Sequence, residues 1–352
     1  MDLLDATADL VKIPSESHHE GEIVDHIEAE LAKIGGLEVT RVGDNLIART
    51  DLGRDRRIAL VGHTDTVPAQ GNEQPSRVGD ELWGLGTVDM KGALAVFLDL
   101  ARAIREPALD VTYVFYAREE VAGIHSGLEE LLVAVPHLLN VDAAIIGEPT
   151  SAQVEAGCQG TLRVVITMRG KRAHTARAWM GSNAVHRLAP ILGALSGYVP
   201  RRPLVAGLAF HEALQAVAVT GGVAGNVVPD TASVTINHRF APDRTSEDAI
   251  SHVRAMLDPF LEIDDEFVVQ DVSAAAWPGI EHPLLETLVT DHGCGVSAKL
   301  GWTDVARFAA RGIPAVNFGP GDAALAHTAE EHVSRADLNR VRTILEAMLL
   351  QH

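Results

Sequence analysis

Five short acidic or histidine motifs, set at the ends of apolar β-like runs, constrain this chain more than any other feature. Gly62-His63-Thr64-Asp65 follows the run at 57–61, and Gly86-Thr87-Val88-Asp89-Met90-Lys91-Gly92 opens a strong helical pattern. Glu119-Glu120 follows the run at 111–117, and Gly147-Glu148-Pro149-Thr150 follows 143–146. After 315–318 a Gly-Pro-Gly turn leads to His327. In an open α/β sheet the carboxyl ends of the strands converge on one crevice, so residues distant in sequence meet there. Two histidines and several carboxylates in one crevice make a site for a borderline metal such as zinc, and Co or Mn also suit that donor set.

Length and charge narrow what such a chain does. At 352 residues it exceeds the size at which one core stops growing, so two domains are expected. Aromatics are only 4%, which leaves Ala, Val, Leu and Ile to build the core. A net charge of −19 argues against nucleic acid, which needs a concentrated basic surface. The two cysteines, Cys158 and Cys294, form no CxxC pair, which suits a reducing cytosol. The opening Met1-Asp2-Leu3-Leu4-Asp5 lacks a basic n-region and an apolar h-region, and no stretch reaches the ~18 residues of a membrane span. The expectation is a soluble, cytoplasmic protein that binds neither nucleic acid nor membrane.

The opening stretch reads as a helix carrying Leu3, Leu4, Leu10 and Val11 and stopped near Pro14. A second amphipathic helix carries Ile23, Val24, Ile27 and Leu31 and ends at Gly35-Gly36. Residues 39–42 and 45–49 read as a pair of edge strands, and a strong helix covers 93–104. Alternating strand and helix through residue 150 predict an α/β fold, a mixed and mostly parallel sheet flanked by helices. The style changes near Gly160: strand 161–168, helix 183–195, strands 214–220 and 231–240, helix 246–261 and strand 266–274. That β-α-β-β-α-β order is ferredoxin-like. The domain expectation is therefore 1–159 plus 275–352 for the motif-bearing domain, with an inserted α+β module over 160–274. All five motifs lie outside the module.

The motifs match the needs of a two-metal hydrolase, whose ions sit ~3.5–4 Å apart and lower the pKa of a water to near 7. Asp89 is the candidate bridge, with His63, His327, Glu148 and either Glu119 or Glu120 as terminal ligands. Two Zn²⁺ ions against three carboxylates and one deprotonated water close near neutrality, which favours a buried site. Neighbouring side chains on an extended segment point in opposite directions. Only one of Glu119 and Glu120 then ligates, and the other is left as the general base that passes a proton from water to the leaving amine. Asp65, two residues beyond His63, is placed to hold the second ring nitrogen. Singly, each motif has an ordinary reading: a turn, a solvated loop, one histidine among 16. Gly84-x-Gly86 before Lys91-Gly92 lacks the Gly-Lys-Ser/Thr order of a phosphate loop. Co-occurrence at successive strand ends carries the argument.

Gly62-His63-Thr64-Asp65-Thr66-Val67-Pro68, Gly84-x-Gly86-Thr87-x-Asp89-Met90-Lys91-Gly92, Glu119-Glu120, Gly147-Glu148-Pro149-Thr150 and the late His327 together resemble the M20 family of di-zinc amidohydrolases and aminopeptidases. The resemblance spans essentially the whole chain. It implies a di-zinc exopeptidase-like catalytic domain, with the inserted module serving as lid and dimerisation domain of a homodimer. It implies His63 and Glu148 on one zinc, Glu120 and His327 on the other, Asp89 bridging, Glu119 as proton acceptor and Asp65 supporting His63. It implies a cis bond after Asp89. His174, in Arg172-Ala173-His174-Thr175-Ala176-Arg177, matches a lid histidine that reaches the partner subunit's site and polarises the scissile carbonyl. Asn226 and Arg239 match lid positions that touch substrate. An acidic enzyme acting on a small N-acyl amino acid must present arginine to the substrate's carboxylates, and Arg163, Arg177, Arg239 and Arg307 are available. A catalytically dead binding relative is the reading outside enzymes, and a retained Glu119 speaks against it.

Overall fold

The computed structural model describes residues 2–351, which form two compact units. The first takes the chain up to Ala156, Pro278–Ser297 and the chain from Arg307 onward. The second takes Gly157–Trp277 and also Ala298–Ala306, a return stretch that the sequence puts in the first.

The first unit is built on an eight-stranded sheet. Its centre is four parallel strands, Asp110–Tyr116, Arg57–His63, Ala143–Ile146 and Ala315–Asn317, in that order. Asp110–Tyr116 is buried at every position, as a strand covered on both faces is, with Asp110 and Thr112 the polar members of the run. Antiparallel strands flank this centre: Asn45–Arg49 and then Glu38–Val42 on one side, Val154–Ala156 on the other. Only Glu38–Val42 of the expected edge pair lies at the sheet edge. Asn45–Arg49 pairs on both sides and is buried, because Leu46-Ile47-Ala48 is a continuous apolar triplet that an edge would leave wet.

Helix Lys91–Ala103 fixes the height of the site. Its residues from Lys91 to Ala101 are all buried, the charged Lys91 and Asp99 included. It packs against strand Arg57–His63 and against helices Leu3–Val11 and Arg335–Leu350. Met90, just before it, lies over two strand ends where only glycine fits. A Cβ on Gly62 would meet the Met90 Cε at 2.7 Å, and one on Gly147 would meet it at 2.6 Å. Those two hydrogens let the helix start descend onto the sheet and deliver Asp89 to His63.

The second unit is a four-stranded antiparallel sheet ordered Ala213–Gly221, Thr231–Phe240, Gly160–Arg169, Glu266–Ser273, with helices after its first and third strands in chain order. Gly160–Arg169 and Thr231–Phe240 alternate buried and open residues, and the buried set packs on Ile191, Val253 and Leu257 from the helices. The helix expected at 183–195 is broken into Ala184–Arg187 and Ala189–Ser196. Pro190 starts the second piece and has no N–H to continue the first. Among the described residues no helix is long and apolar enough to cross a membrane.

Candidate metal centre

His63 ends its strand at 1% exposure, and its Nε2 lies 2.9 Å from Asp89 Oδ1. The other Asp89 oxygen lies 3.3 Å from His327 Nε2, which is itself 2.8 Å from Glu120 Oε1. The Asp89 carboxylate thus spans two imidazoles, one on each oxygen. His63, Asp89 and Glu120 offer donor atoms that all fall within 4.8 Å of one another. Glu148, 8% exposed, follows strand Ala143–Ile146, the parallel neighbour of the His63 strand. The Asp89–Met90 peptide bond is cis.

The electrostatics are those of a cation site. Burial pushes the Asp89 carboxyl up, but hydrogen bonds from His327 and His63 outweigh it and hold the group well below the usual range. Burial likewise opposes charge on His63, yet Asp65 and Asp89 raise its proton affinity well above normal. Hydrogen bonds to Asp89 and Glu120 lift His327 to about 10. Acids that hold protons this firmly on two imidazoles have the donor set and negative charge for borderline divalent ions, which compete with those protons.

Two buried carboxylates set the loops that carry the candidate ligands. Asp65 was expected to grip the His63 ring. The His63 Nδ1 lies 3.5 Å from the Asp65 carboxylate and also 3.0 Å from the Asp65 backbone carbonyl. The carboxylate itself accepts from the backbone N–H groups of Glu119 and Glu120, both at 3.0 Å, and from the Ser17 hydroxyl at 2.7 Å. Burial raises it and hydrogen bonding lowers it, leaving it at about 2. Arg118 precedes that pair with φ of 62°, a left-handed turn rare outside glycine and the kind of strain that gathers at functional sites.

Glu331, absent from the sequence expectations, does the same for the opposite loop. It is 1% exposed, and its Oε1 accepts from Val88 N–H at 2.9 Å and Asp89 N–H at 3.1 Å. Its backbone carbonyl accepts from Gly84 N–H at 3.0 Å. The segment after His327 is thereby stapled to the loop carrying Asp89. Burial raises the Glu331 carboxyl to about 6. Within Ala329-Glu330-Glu331-His332 the acid reads as solvated surface, and no spacing signal distinguishes it.

The second-unit candidates divide into two groups. His174 pairs with Val227, and the Asn226 carbonyl accepts from Thr175 N–H at 3.0 Å, so His174 and Asn226 are neighbours. The His174 Nδ1 accepts from Ala176 N–H at 3.0 Å, which leaves Nε2 as the donor nitrogen of the exposed ring. Arg177 is exposed in the kinked turn Thr175–Met180, and Arg239 is half-buried on the sheet. Arg307, in the first unit, is engaged by Glu129 at 3.1 Å and serves as a structural ion pair.

Parallel strand ends that gather two imidazoles about one spanning carboxylate define a metal-dependent amidohydrolase. The pattern of peptidase family M20/M25/M40 matches residues 59–351. A Mycobacterium tuberculosis protein provisionally named succinyl-diaminopimelate desuccinylase DapE is 48% identical over 349 residues, covering 99% of this chain and 98% of that one. The succinyl-diaminopimelate desuccinylase of Corynebacterium glutamicum is 42% identical over 350 residues, covering 97% and 95%. A tripeptidase from Staphylococcus aureus superposes with a TM-score of 0.81 at 22% identity, covering 99% of this chain and 97% of that one, a likeness of fold. The chain belongs to peptidase family M20/M25/M40.

Proposed function

We propose that this chain hydrolyses N-succinyl-LL-2,6-diaminopimelate to succinate and LL-diaminopimelate, a step toward lysine and cell-wall precursors. The observation that carries the chemistry is the Asp89 carboxylate shared between His63 and His327. The substrate is supported by the 42% identical Corynebacterium glutamicum desuccinylase. Gly170-Lys171-Arg172-Ala173-His174-Thr175-Ala176-Arg177, Trp179-Met180-Gly181-x-Asn183-Ala184 and Gly301-Trp302-Thr303-Asp304-Val305-Ala306-Arg307-Phe308 resemble desuccinylases of the high-GC Gram-positive type. One departure stands out: better-known desuccinylases carry an Arg after the junction glycine, where this chain has Gly157-Cys158-Gln159.

In this proposal His63 and Glu148 would hold one zinc and Glu120 and His327 the other, with Asp89 shared between them. When bound, the two ions supply a Lewis acid for the amide carbonyl and a water acidified to near neutrality. Glu119 would take a proton from the attacking water and deliver it to the leaving amine. Asp65 holds the Glu119–Glu120 backbone, so base and ligand keep their spacing. His174 donates from Nε2 to the carbonyl oxygen of a substrate bound in the partner subunit of a homodimer. Asn226, Arg239 and Arg177 meet the substrate's polar ends. Two buried, unbridged cysteines suit a cytoplasmic enzyme.

The test is turnover of N-succinyl-LL-diaminopimelate against N-acetyl-L-ornithine, with zinc-loaded and chelated enzyme in parallel. Zinc-dependent cleavage of the succinyl substrate alone is expected. Cleavage of only the acetyl substrate makes the chain an N-acetylornithine-type deacylase, and cleavage of dipeptides alone makes it a dipeptidase. Zinc binding without turnover of any of them would make it a binding relative.

A further inference from the structure

Beyond strand Asp110–Tyr116 the chain leaves the sheet, yet four successive backbone N–H groups are accepted by side chains from elsewhere in the first unit. Ala117 N–H donates to Asn45 Oδ1 at 2.9 Å, and Arg118 N–H donates to Glu20 Oε1 at 3.1 Å. Glu119 and Glu120 N–H then take one oxygen each of Asp65. In a continuing strand, successive groups would point to opposite sides. The left-handed turn at Arg118 lets the last two N–H groups converge on one carboxylate. The Arg118 side chain is tied down as well, donating to His125 O at 2.9 Å and lying 2.8 Å from a Glu130 oxygen.

Glu20 is the acceptor in this set that the reaction chemistry leaves unexplained. It is 0% exposed and precedes helix Gly21–Ala32, but its side chain makes no capping bond to that helix. It reaches instead across 98 residues to Arg118. Its other oxygen, Oε2, is buried with no hydrogen-bond partner among the described residues. An acid is costly to bury with one oxygen unanswered, and a leucine would fill the same space without that cost. Ser17 works from the same segment: its hydroxyl donates to Asp65 Oδ2 at 2.7 Å, and its N–H donates to Thr66 O at 3.2 Å. Thr66 N–H returns a bond to Ser15 O at 2.9 Å. Residues 15–20 thus fasten the loop carrying Asp65 to the loop carrying Glu119.

We propose that Glu20 is a positioning residue for Glu119: by accepting the Arg118 N–H it maintains the left-handed turn that aims the following side chain. This rests on the reading of Glu119 as proton acceptor and extends it to a residue that touches neither metal nor substrate. Without that acceptor, Arg118 relaxes toward the extended backbone that residues other than glycine favour, and the peptide joining it to Glu119 turns. Asp65 still binds the two later amides. The fault is therefore a loosened loop and not a lost metal.

The experiment compares Glu20→Ala and Glu20→Gln with wild type for kcat and KM on N-succinyl-LL-diaminopimelate, zinc content, Tm and amide hydrogen exchange over 117–120. Glu20→Ala is expected to lower kcat about 10- to 100-fold, the scale of a small misplacement of a reacting group, with KM and zinc content within about twofold of wild type. Exchange over 117–120 should quicken about tenfold or more. Glu20→Gln keeps an acceptor oxygen for the Arg118 N–H and should recover most of both effects. Should the alanine variant fail to fold, Glu20→Leu, which keeps the bulk without the acceptor, carries the same expectations. Unchanged kcat or unchanged exchange in the folded alanine or leucine enzyme overturns the proposal. Loss of zinc in that enzyme, or a failure of Glu20→Gln to recover kcat, assigns Glu20 to the general structure and overturns it as well. Wild-type enzyme that ignores the succinyl substrate overturns the desuccinylase reading alone. The exchange measurement then still decides whether Glu20 holds the loop, and kcat is read on whichever N-acyl amino acid is cleaved.

Discussion

In the first unit, acids crowd two histidines and drive their proton affinity up. His63 meets Asp89 and Asp65, and His327 meets Asp89 and Glu120. In the second unit the balance is reversed. Arg163 and Arg239 form no ion pair among the described residues, and His238, 0% exposed with Arg244 and Arg201 nearby, is pushed by burial down to about 4. The first unit thus gathers negative charge around imidazoles, and the second keeps a buried imidazole neutral among arginines.

The strongest way to break this contrast is at Glu119. Glu119→Ala is expected to keep both metals and lose about 10³-fold or more in turnover, the scale of a removed general base. Loss of metal in that variant, with metal retained in Glu120→Ala, would exchange the two roles. His174→Ala should lower kcat about 10²-fold, as for one donor to a developing oxyanion, with metal content unchanged. Wild-type rates there would confine the chemistry to the first unit. Glu331→Ala should weaken metal binding about 10- to 100-fold in a chelator competition, because the Asp89 loop loses its buried acceptor. Glu331→Gln keeps an acceptor oxygen and should recover most of the affinity, an outcome that a general loss of stability in the alanine variant would not produce.

The smallest expected effect belongs to His238. Its folded pKa of about 4 lies below the ordinary ~6.5, so the unfolded chain binds a proton first as pH falls. Its contribution to stability is present above about 6.5 and is lost as pH drops toward 4. Thermal unfolding should lose a few degrees across that window, and a folded His238→Gln variant should show a shallower slope. An identical slope in both proteins would remove His238 from the second unit's charge balance.

The sequence was legible where chemistry repeats at strand ends. His63, Asp89, Glu120 and Glu148 were visible because each closes an apolar run or precedes a helix, and the sheet order sets the strands before His63, Glu120 and Glu148 side by side. The ferredoxin-like order was visible from alternation in Gly160–Arg169 and Thr231–Phe240. Partners fixed by backbone amides were not. Asp65 reaches Glu119 and Glu120 across 54 and 55 residues, and Glu331 reaches Asp89 across 242, so nothing local in the chain announces either contact. The edge position of 45–49 was misjudged because two short strands joined by a tight turn read alike until the third strand is seen. The broken helix at Pro190 was readable in principle, since the proline lies eight residues into the run.

The return stretch Ala298–Ala306 bears on how this chain can be dissected. Lys299 O accepts from Gln159 N–H at 3.2 Å, Thr303 O accepts from Cys158 Sγ at 3.7 Å, and Trp302 Nε1 donates to Ala274 O at 3.2 Å. A gene fragment spanning 157–277 would encode the four strands of the second unit without the nine residues that close its base. The same nine residues, left behind in a shortened first unit, would expose Trp302 and a row of unanswered carbonyls. The unit behaves in space as an insert but is written in the gene as two pieces. A domain exchange with a relative therefore has to move both pieces together.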